Sequence, residues 1–283
     1  MEVISHPALG HLHPTGHHPE SATRLLELLE RHLDFVEGPR ATREQIERVH
    51  VPSYVASIDA LTEQARLDAD TPAGPTTWEA ASLAAGCAIL AVDRGGFALV
   101  RPPGHHALAD RAMGFCIVNN VAVAARYAQA ELGLERVAIV DFDVHHGNGT
   151  EAIFRKDISV LFVSLHQWPF YPGTGGPGTS DEHTLNLPLA AGSGDDAYLR
   201  MFDEAVEPAV RSFEPDLVLV SAGFDAHVDD PLAEMEVTAA GFTEMARRCA
   251  ALAPRLAAVL EGGYNLETLP ALVDAAMAGF DLG

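Results

Sequence analysis

Five short runs of apolar, β-branched residues recur along this chain, and each is followed directly by a polar or glycine-rich cluster. The runs are residues 97–100, 136–140, 158–163, 216–220 and 256–260. Continuous apolar runs of this length are typical of strands that are buried on both faces of a sheet. Segments long enough for crossover helices lie between them, among them 120–132, 195–213 and 238–253. The alternation predicts an α/β fold with a mostly parallel central sheet and helices on both faces.

The chain has 283 residues and contains no repeat, low-complexity linker or charge run that would divide it. Because α/β folds of roughly this size commonly remain one unit, we predict a single domain over residues 1–283. The apolar stretch 80–92 is shorter than the roughly twenty residues that a membrane-spanning helix needs. It predicts a buried helix instead.

Acidic residues outnumber basic residues by 40 to 18, which gives a formal net charge of −22. Nucleic acids and anionic membranes are bound by clustered Lys and Arg, but this chain has one lysine, Lys156, and no basic block. The composition therefore argues against both partners. The 3 cysteines form no disulfide framework or metal-binding pair, and the N-terminus has no leader-like pattern. We expect a protein that is not exported and works in the reducing cytoplasm.

The clusters that follow the five runs contain the candidate functional residues. Ligands bind outside the carboxyl ends of parallel strands, so five segments distant in sequence would bring reactive side chains to one edge of the sheet. These segments are residues 101–106, 141–149, 164–166, 221–227 and 261–264.

The second cluster has the pattern of a metal site. Asp141, Asp143 and His145 are two residues apart, so a continuing strand would point them the same way and leave Phe142 and Val144 to pack. An Asp-x-His pair with a further carboxylate suits a zinc-like ion with three protein ligands and one open position. The alternative is that these residues only tie the strand end to nearby loops. Burying several carboxylates together without a cation is costly, which favours the metal.

Two other clusters suit catalysis. His105 and His106 follow a tight Pro-Pro-Gly turn, and beside a metal such a pair suits general acid–base chemistry. Gly262 and Gly263 allow close backbone approach and present the phenol of Tyr264, which can donate to a developing oxyanion. The alternatives are two structural histidines and a tyrosine that only packs.

At these residues the sequence resembles the histone deacetylase and acetylpolyamine amidohydrolase superfamily of zinc-dependent deacylases, which have a three-layer, arginase-like fold. The matching motifs run in family order and cover most of the chain. They are RPPGHHA at 101–107, MGFCIVNN at 113–120, DFDVHHGNGT at 141–150, YPGTG at 171–175, SAGFDAH at 221–227 with Asp230-Pro231, and EGGY at 261–264. Asn148 and the sequence FDAH at 224–227 are similar to the corresponding residues of class II-type and bacterial members.

The resemblance implies catalytic and metal-binding roles. His106 would be the general base and then the acid, with His105 as its electrostatic partner. Asp141 would orient His105, and Tyr264 would polarise the amide carbonyl. The implied zinc ligands are Asp143, His145 and Asp225. A structural potassium ion would lie behind the zinc, bound by Asp141, Ser164 and Leu165 with the backbone of Asp143 and His145.

The resemblance also implies a narrow tunnel for the acyl-lysine stem. Tyr171 stands where many relatives have phenylalanine. The implied substrate-binding residues are Asp70 at the rim and Gly114, Phe115, Tyr171, Leu232 and Gly263. The segment with His11, His13, His17 and His18 also contains Pro14 and Pro19, and it predicts a loop over this rim rather than a metal site.

Position 232 bears on the substrate. Relatives that prefer acetylated polyamines have an acidic residue seven positions after the last zinc-binding aspartate, where this chain has Leu232. That favours an acyl-lysine protein or peptide over an acetylated polyamine, although the net charge attracts either cation. A non-catalytic binder on the same scaffold would show loss of Tyr264 or a metal ligand, and none is lost. A binuclear manganese ureohydrolase would need more carboxylates where this chain offers the single Asp225.

Overall fold

Eight strands form the central sheet of the computed structural model, which describes residues 1–283. The strands are β1 Val3–Ser5, β2 Val36–Glu37, β5 Phe97–Ala98, β6 Val137–Asp141, β7 Val160–Gln167, β8 Thr184–Leu189, β9 Leu217–Ala222 and β10 Leu256–Leu260. Their order in the sheet is β2-β1-β5-β10-β9-β6-β7-β8, and all neighbouring pairs are parallel. A separate antiparallel pair consists of β3 Ala65–Arg66 and β4 Pro72–Ala73.

Two groups of helices cover the sheet. The helices are α1 Ala22–Arg31, α2 Arg43–Glu47, α3 Pro52–Asp59, α4 Thr77–Arg94, α5 Asn120–Leu132, α6 Asn148–Phe154, α7 Asp195–Met201, α8 Glu207–Phe213, α9 Ala239–Ala250 and α10 Leu269–Phe280. Helix α5 packs with α4, helix α9 packs with α10, and α5 and α9 both contact β9. Short 3-10 and π segments span Pro7–Gly10 and Phe202–Val206. The predicted α/β class and three-layer architecture are confirmed.

Most predicted elements lie where the sequence placed them. The helix predicted at 120–132 is α5, whose N-terminus is capped by the Asn119 side chain, which accepts from Ala122 N. The stretch 80–92 lies inside the largely buried α4. The strand predicted at 97–100 is shorter, because the Ser5 hydroxyl donates to the Leu99 carbonyl at 2.6 Å, where strand pairing would continue.

The core is one continuous cluster of 76 buried apolar residues. The single-domain organisation stays a prediction, which this continuity supports. No helix combines the length and apolar character that crossing a bilayer requires. Cys87, Cys116 and Cys249 are buried and unpaired. The cytoplasmic location stays a prediction.

Candidate active site

Strand β6 stops at Asp141, so the alternation that was expected to align Asp141, Asp143 and His145 does not continue. The chain bends instead, because each carboxylate accepts from the backbone two residues ahead. Asp143 N donates to Asp141 Oδ1 at 3.1 Å, and His145 N donates to Asp143 Oδ1 at 2.9 Å. These are Asx-turn contacts, which replace strand pairing. Phe142 and Val144 are fully buried, as predicted.

The bend brings Asp143 and His145 to Asp225, which follows β9. His145 Nδ1 lies 3.0 Å from Asp143 Oδ1 and 3.2 Å from Asp225 Oδ2. One ligand atom from each of the three residues lies within 4.8 Å of the others. Val144 N donates to Asp225 Oδ1 at 2.9 Å, which ties the two loops together. Asp141, the third member of the residue pattern, turns away towards His105.

The donor set fits a zinc-like cation. Burial and the charge of Asp143 raise the pKa of Asp225 to about 7, so ionising both carboxylates without a cation is unfavourable. Two carboxylate oxygens and one imidazole nitrogen are ligands that zinc takes in catalytic sites, where a fourth position stays open. A Cβ at Gly262 would lie 2.0 Å from Asp225 Oδ2 and 2.6 Å from Asp143 Oδ2. Only glycine therefore lets this loop approach both carboxylates.

His105 and His106 lie beside these ligands in different electrostatic states. The centroids of the two imidazole rings are 4.0 Å apart. His105 Nδ1 is 2.9 Å from Asp141 Oδ2. Burial opposes the charged ring, yet Asp143 and Asp141 raise the pKa of His105 well above its ordinary value. Burial, with His105 and His145 nearby, lowers the pKa of His106 well below its ordinary value. The surroundings therefore favour the charged form of His105 and the neutral form of His106.

Tyr264 faces the same space from the loop after β10. Burial raises the pKa of its phenol well above the ordinary value, so the hydroxyl keeps its proton at neutral pH. Arg24 lies against the ring, with Cζ 4.8 Å from the ring centroid. Its side chain donates to the carbonyl oxygens of Gly263 and Glu261, both at 2.6 Å. The buried guanidinium group of Arg24 therefore holds the loop that carries Tyr264, through both its backbone and the Tyr264 ring.

A cavity of about 240 Å³ is lined by His106, His145 and Tyr264 and by Tyr171, which is 37% exposed at the surface. Five of the six predicted substrate-binding residues line this cavity, and the sixth, Gly263, does not. The lining residues are Asp70, His106, Gly114, Phe115, His145, Phe170, Tyr171, Leu232 and Tyr264. The His-rich segment reaches this rim, as predicted, since the His18 ring lies 4.5 Å from that of Phe115.

The predicted potassium site stays a prediction. Asp141 and Ser164 are register neighbours on β6 and β7, and Leu165 is fully buried. The Ser164 hydroxyl lies 3.0 Å from His166 Nδ1.

Sequence reasoning missed several residues that hold the site. Glu261 Oε2 accepts from Gly104 N at 2.6 Å and His105 N at 3.1 Å. Arg101 makes two hydrogen bonds, of 2.9 and 2.8 Å, with the buried Glu20 carboxylate. Both Glu261 and Arg101 stand in the recognised motifs, but nothing local in the sequence identifies their partners.

Phe170 was also missed. Its ring stacks on that of His145, with the two ring centroids 5.3 Å apart and an interplanar angle of 21°. A lone phenylalanine in a loop gives no signal of that contact.

Comparison with known proteins agrees with this geometry. The family model described as histone deacetylase domain matches residues 15–280. The chain is 42% identical to histone deacetylase 10, chloroplastic, from Oryza sativa subsp. japonica, over 94% of this chain and 70% of that protein. It is 40% identical to a probable deacetylase from Archaeoglobus fulgidus, over 94% of this chain and 82% of that protein. The crystal structure of the HDA15 HD domain superposes with a TM-score of 0.91 at 37% identity, covering 98% of this chain and 88% of that one.

Proposed function

Because the chain belongs to the histone deacetylase family, whose members hydrolyse acetylated amides, we propose that it removes acetyl or other acyl groups from the ε-amine of lysine in proteins or peptides. The products are a free amine and a carboxylate. One observation carries the proposal: one cavity of about 240 Å³ is lined by His106, His145 and Tyr264 together with the aromatic side chains of Phe115 and Tyr171. A linear stem fits between such walls and delivers its amide to the polar end.

In this proposal Asp143, His145 and Asp225 bind one zinc ion. When bound, zinc supplies Lewis acidity, which polarises a carbonyl group and makes water more acidic. The potassium ion expected at Asp141, Ser164 and Leu165 has no catalytic part in the proposal.

His106 handles the proton. Its Nδ1 is 2.7 Å from Asn148 Oδ1, and the Asn148 amide nitrogen is turned towards Met113 Sδ at 3.2 Å. Nδ1 therefore carries the hydrogen, and Nε2 keeps its lone pair. A neutral ring with a free Nε2 accepts a proton from the attacking water and later returns it to the leaving amine. His105, held by Asp141 and positively charged, stabilises the negative charge that develops nearby.

Tyr264 supplies the remaining donor. Its phenol is protonated at neutral pH because burial raises its pKa. It donates a hydrogen bond to the amide oxygen, which becomes negatively charged in the tetrahedral state. A single donor of this kind is typically worth about a hundred- to a thousandfold in rate.

Leu232 favours acyl-lysine over the alternative substrate class, the acetylated polyamines, because an apolar side chain at the cavity wall offers no partner to the free ammonium group of a polyamine. The test compares an acetyl-lysine peptide with N-acetylputrescine, each assayed with added zinc and with a chelator. Leu232→Glu is the charged variant, and Leu232→Gln is its neutral control of similar shape.

We expect the unaltered protein to have the higher kcat/KM on the peptide. Leu232→Glu should move the ratio towards N-acetylputrescine, and Leu232→Gln should move it little. A wild-type preference for N-acetylputrescine would favour the polyamine alternative. Binding without hydrolysis of either substrate in the presence of zinc would favour a non-catalytic binder.

A further inference from the structure

The peptide group that joins Gly263 to Tyr264 is held at both ends by charged side chains. Arg24 Nε donates to the Gly263 carbonyl oxygen at 2.6 Å, and Tyr264 N donates to Asp230 Oδ2 at 2.7 Å. The cation lies at the negative end of the peptide dipole and the anion at the positive end, so both contacts favour one orientation. Gly263 has φ +119°, a region that glycine reaches freely, so its own backbone preference does not fix this orientation and the outside contacts do.

The same carboxylate also holds a second loop that lines the cavity. Asp230 Oδ1 accepts from Leu232 N at 2.9 Å. Leu232 and Tyr264 both line the cavity, on loops that are 32 residues apart in sequence. Asp230 itself is only 7% exposed. Its two oxygens therefore link two cavity walls, and solvent competes little for either contact.

We propose that Asp230 is a positioning residue that sets the direction of the Tyr264 phenol and the place of Leu232 together. Rate and substrate selectivity then change together when Asp230 is altered. The inference rests on the proposed function, because it takes Tyr264 as the donor to the substrate carbonyl. A carboxylate is required since both partners are N–H donors. Asparagine offers one acceptor and turns an NH2 group towards the other donor.

The test uses Asp230→Asn in the full-length, zinc-loaded protein. Asp229→Asn is the matched control, because it removes the same charge from a neighbouring side chain that is 63% exposed. Hydrogen–deuterium exchange is followed in segments 227–237 and 261–268. The kcat and KM are measured on the acetyl-lysine peptide and on N-acetylputrescine.

We expect Asp230→Asn to speed exchange in both segments and to lower kcat on the peptide about tenfold or more, the loss that one charge-assisted hydrogen bond typically gives. The ratio of kcat/KM between the two substrates should also change. Asp229→Asn should change none of these. In a Tyr264→Phe background, Asp230→Asn should lower kcat less than twofold, because the group through which it acts is already absent.

Equal losses of kcat in the two backgrounds would overturn the proposal, since Asp230 would then act independently of the phenol. Unchanged exchange in either segment would overturn the link between the loops. If the unaltered protein hydrolyses neither substrate, the proposed function fails, and the exchange data alone still decide whether Asp230 joins the two loops.

Discussion

Replacing Glu261 by alanine would leave three buried donors without a partner. The carboxylate accepts from Gly104 N at 2.6 Å, from His105 N at 3.1 Å and from the Ser221 hydroxyl at 3.1 Å. A buried donor without an acceptor costs about 1–3 kcal/mol. The serine hydroxyl can rotate, but the two backbone N–H groups cannot. We therefore expect Glu261→Ala to lower the free energy of unfolding by about 2–6 kcal/mol, with a further cost for the cavity.

Glu261→Gln separates hydrogen bonding from charge. Its amide oxygen can accept from Gly104 N and His105 N, while its NH2 group donates to the Ser221 hydroxyl. Burial already raises the pKa of Glu261 to about 7, so the carboxylate gains little from being charged. We expect glutamine to cost less than about 1 kcal/mol, because both backbone N–H groups keep an acceptor and the Ser221 hydroxyl, which can rotate, changes from donor to acceptor.

The assay is urea unfolding followed by circular dichroism, with kcat on an acetyl-lysine peptide measured in parallel. Gly104 and His105 belong to the segment that carries both catalytic histidines, so alanine should also lower kcat, and glutamine should largely preserve it. Equal stability of the alanine and glutamine variants would refute the reasoning, because the backbone donors would then not depend on this acceptor.

Three further outcomes follow from the same contacts. Tyr264→Phe and His106→Ala should each lower kcat at least about a hundredfold with an unchanged circular dichroism spectrum, and near wild-type turnover by either would make the role assignment wrong. Glu20→Gln should cost about 3–5 kcal/mol in urea unfolding, because it leaves the Arg101 guanidinium, 1% exposed, without its anion. Arg101 lowers the pKa of the Glu20 carboxyl group, although burial opposes the shift. The stabilisation by this ion pair is therefore present above the unfolded-state pKa of about 4.3, and it is lost as the pH falls through the lower pKa of the folded state. A difference in the free energy of unfolding between wild type and Glu20→Gln that did not become smaller in acid would contradict this. Gly262→Ala should weaken zinc binding in a chelator competition, since its Cβ would meet Asp225 Oδ2 at 2.0 Å, and wild-type affinity would show that the loop can retreat.

Local patterns predicted the fold well because they follow from burial. The helix α5 and the strands β6, β9 and β10 were visible as periodic or continuous apolar residues. Strand β8, Thr184–Leu189, was missed because it lies at the edge of the sheet and mixes buried with half-buried positions without a regular alternation. Such a mixed segment carries little signal without its neighbour β7.

The site was predictable where a motif carries its own chemistry. Asp143, His145 and Asp225 converge as the family resemblance implied, but the strand geometry first used to align Asp141 with them was wrong. A single sequence does not reveal that the Asp141 side chain would accept from Asp143 N and end the strand. Contacts between distant segments, such as that of Glu20 with Arg101, follow from tertiary packing alone.

Metal-dependent hydrolysis is the most direct test of the whole account. The protein is stripped of metal, zinc is added back in measured steps, and turnover of an acetyl-lysine peptide is followed together with bound zinc. We predict no turnover without metal, activity that rises in proportion to bound zinc up to one ion per chain, and loss of that response in Asp225→Asn. Full turnover by the metal-free protein, or activity that requires two manganese ions per chain, would contradict it.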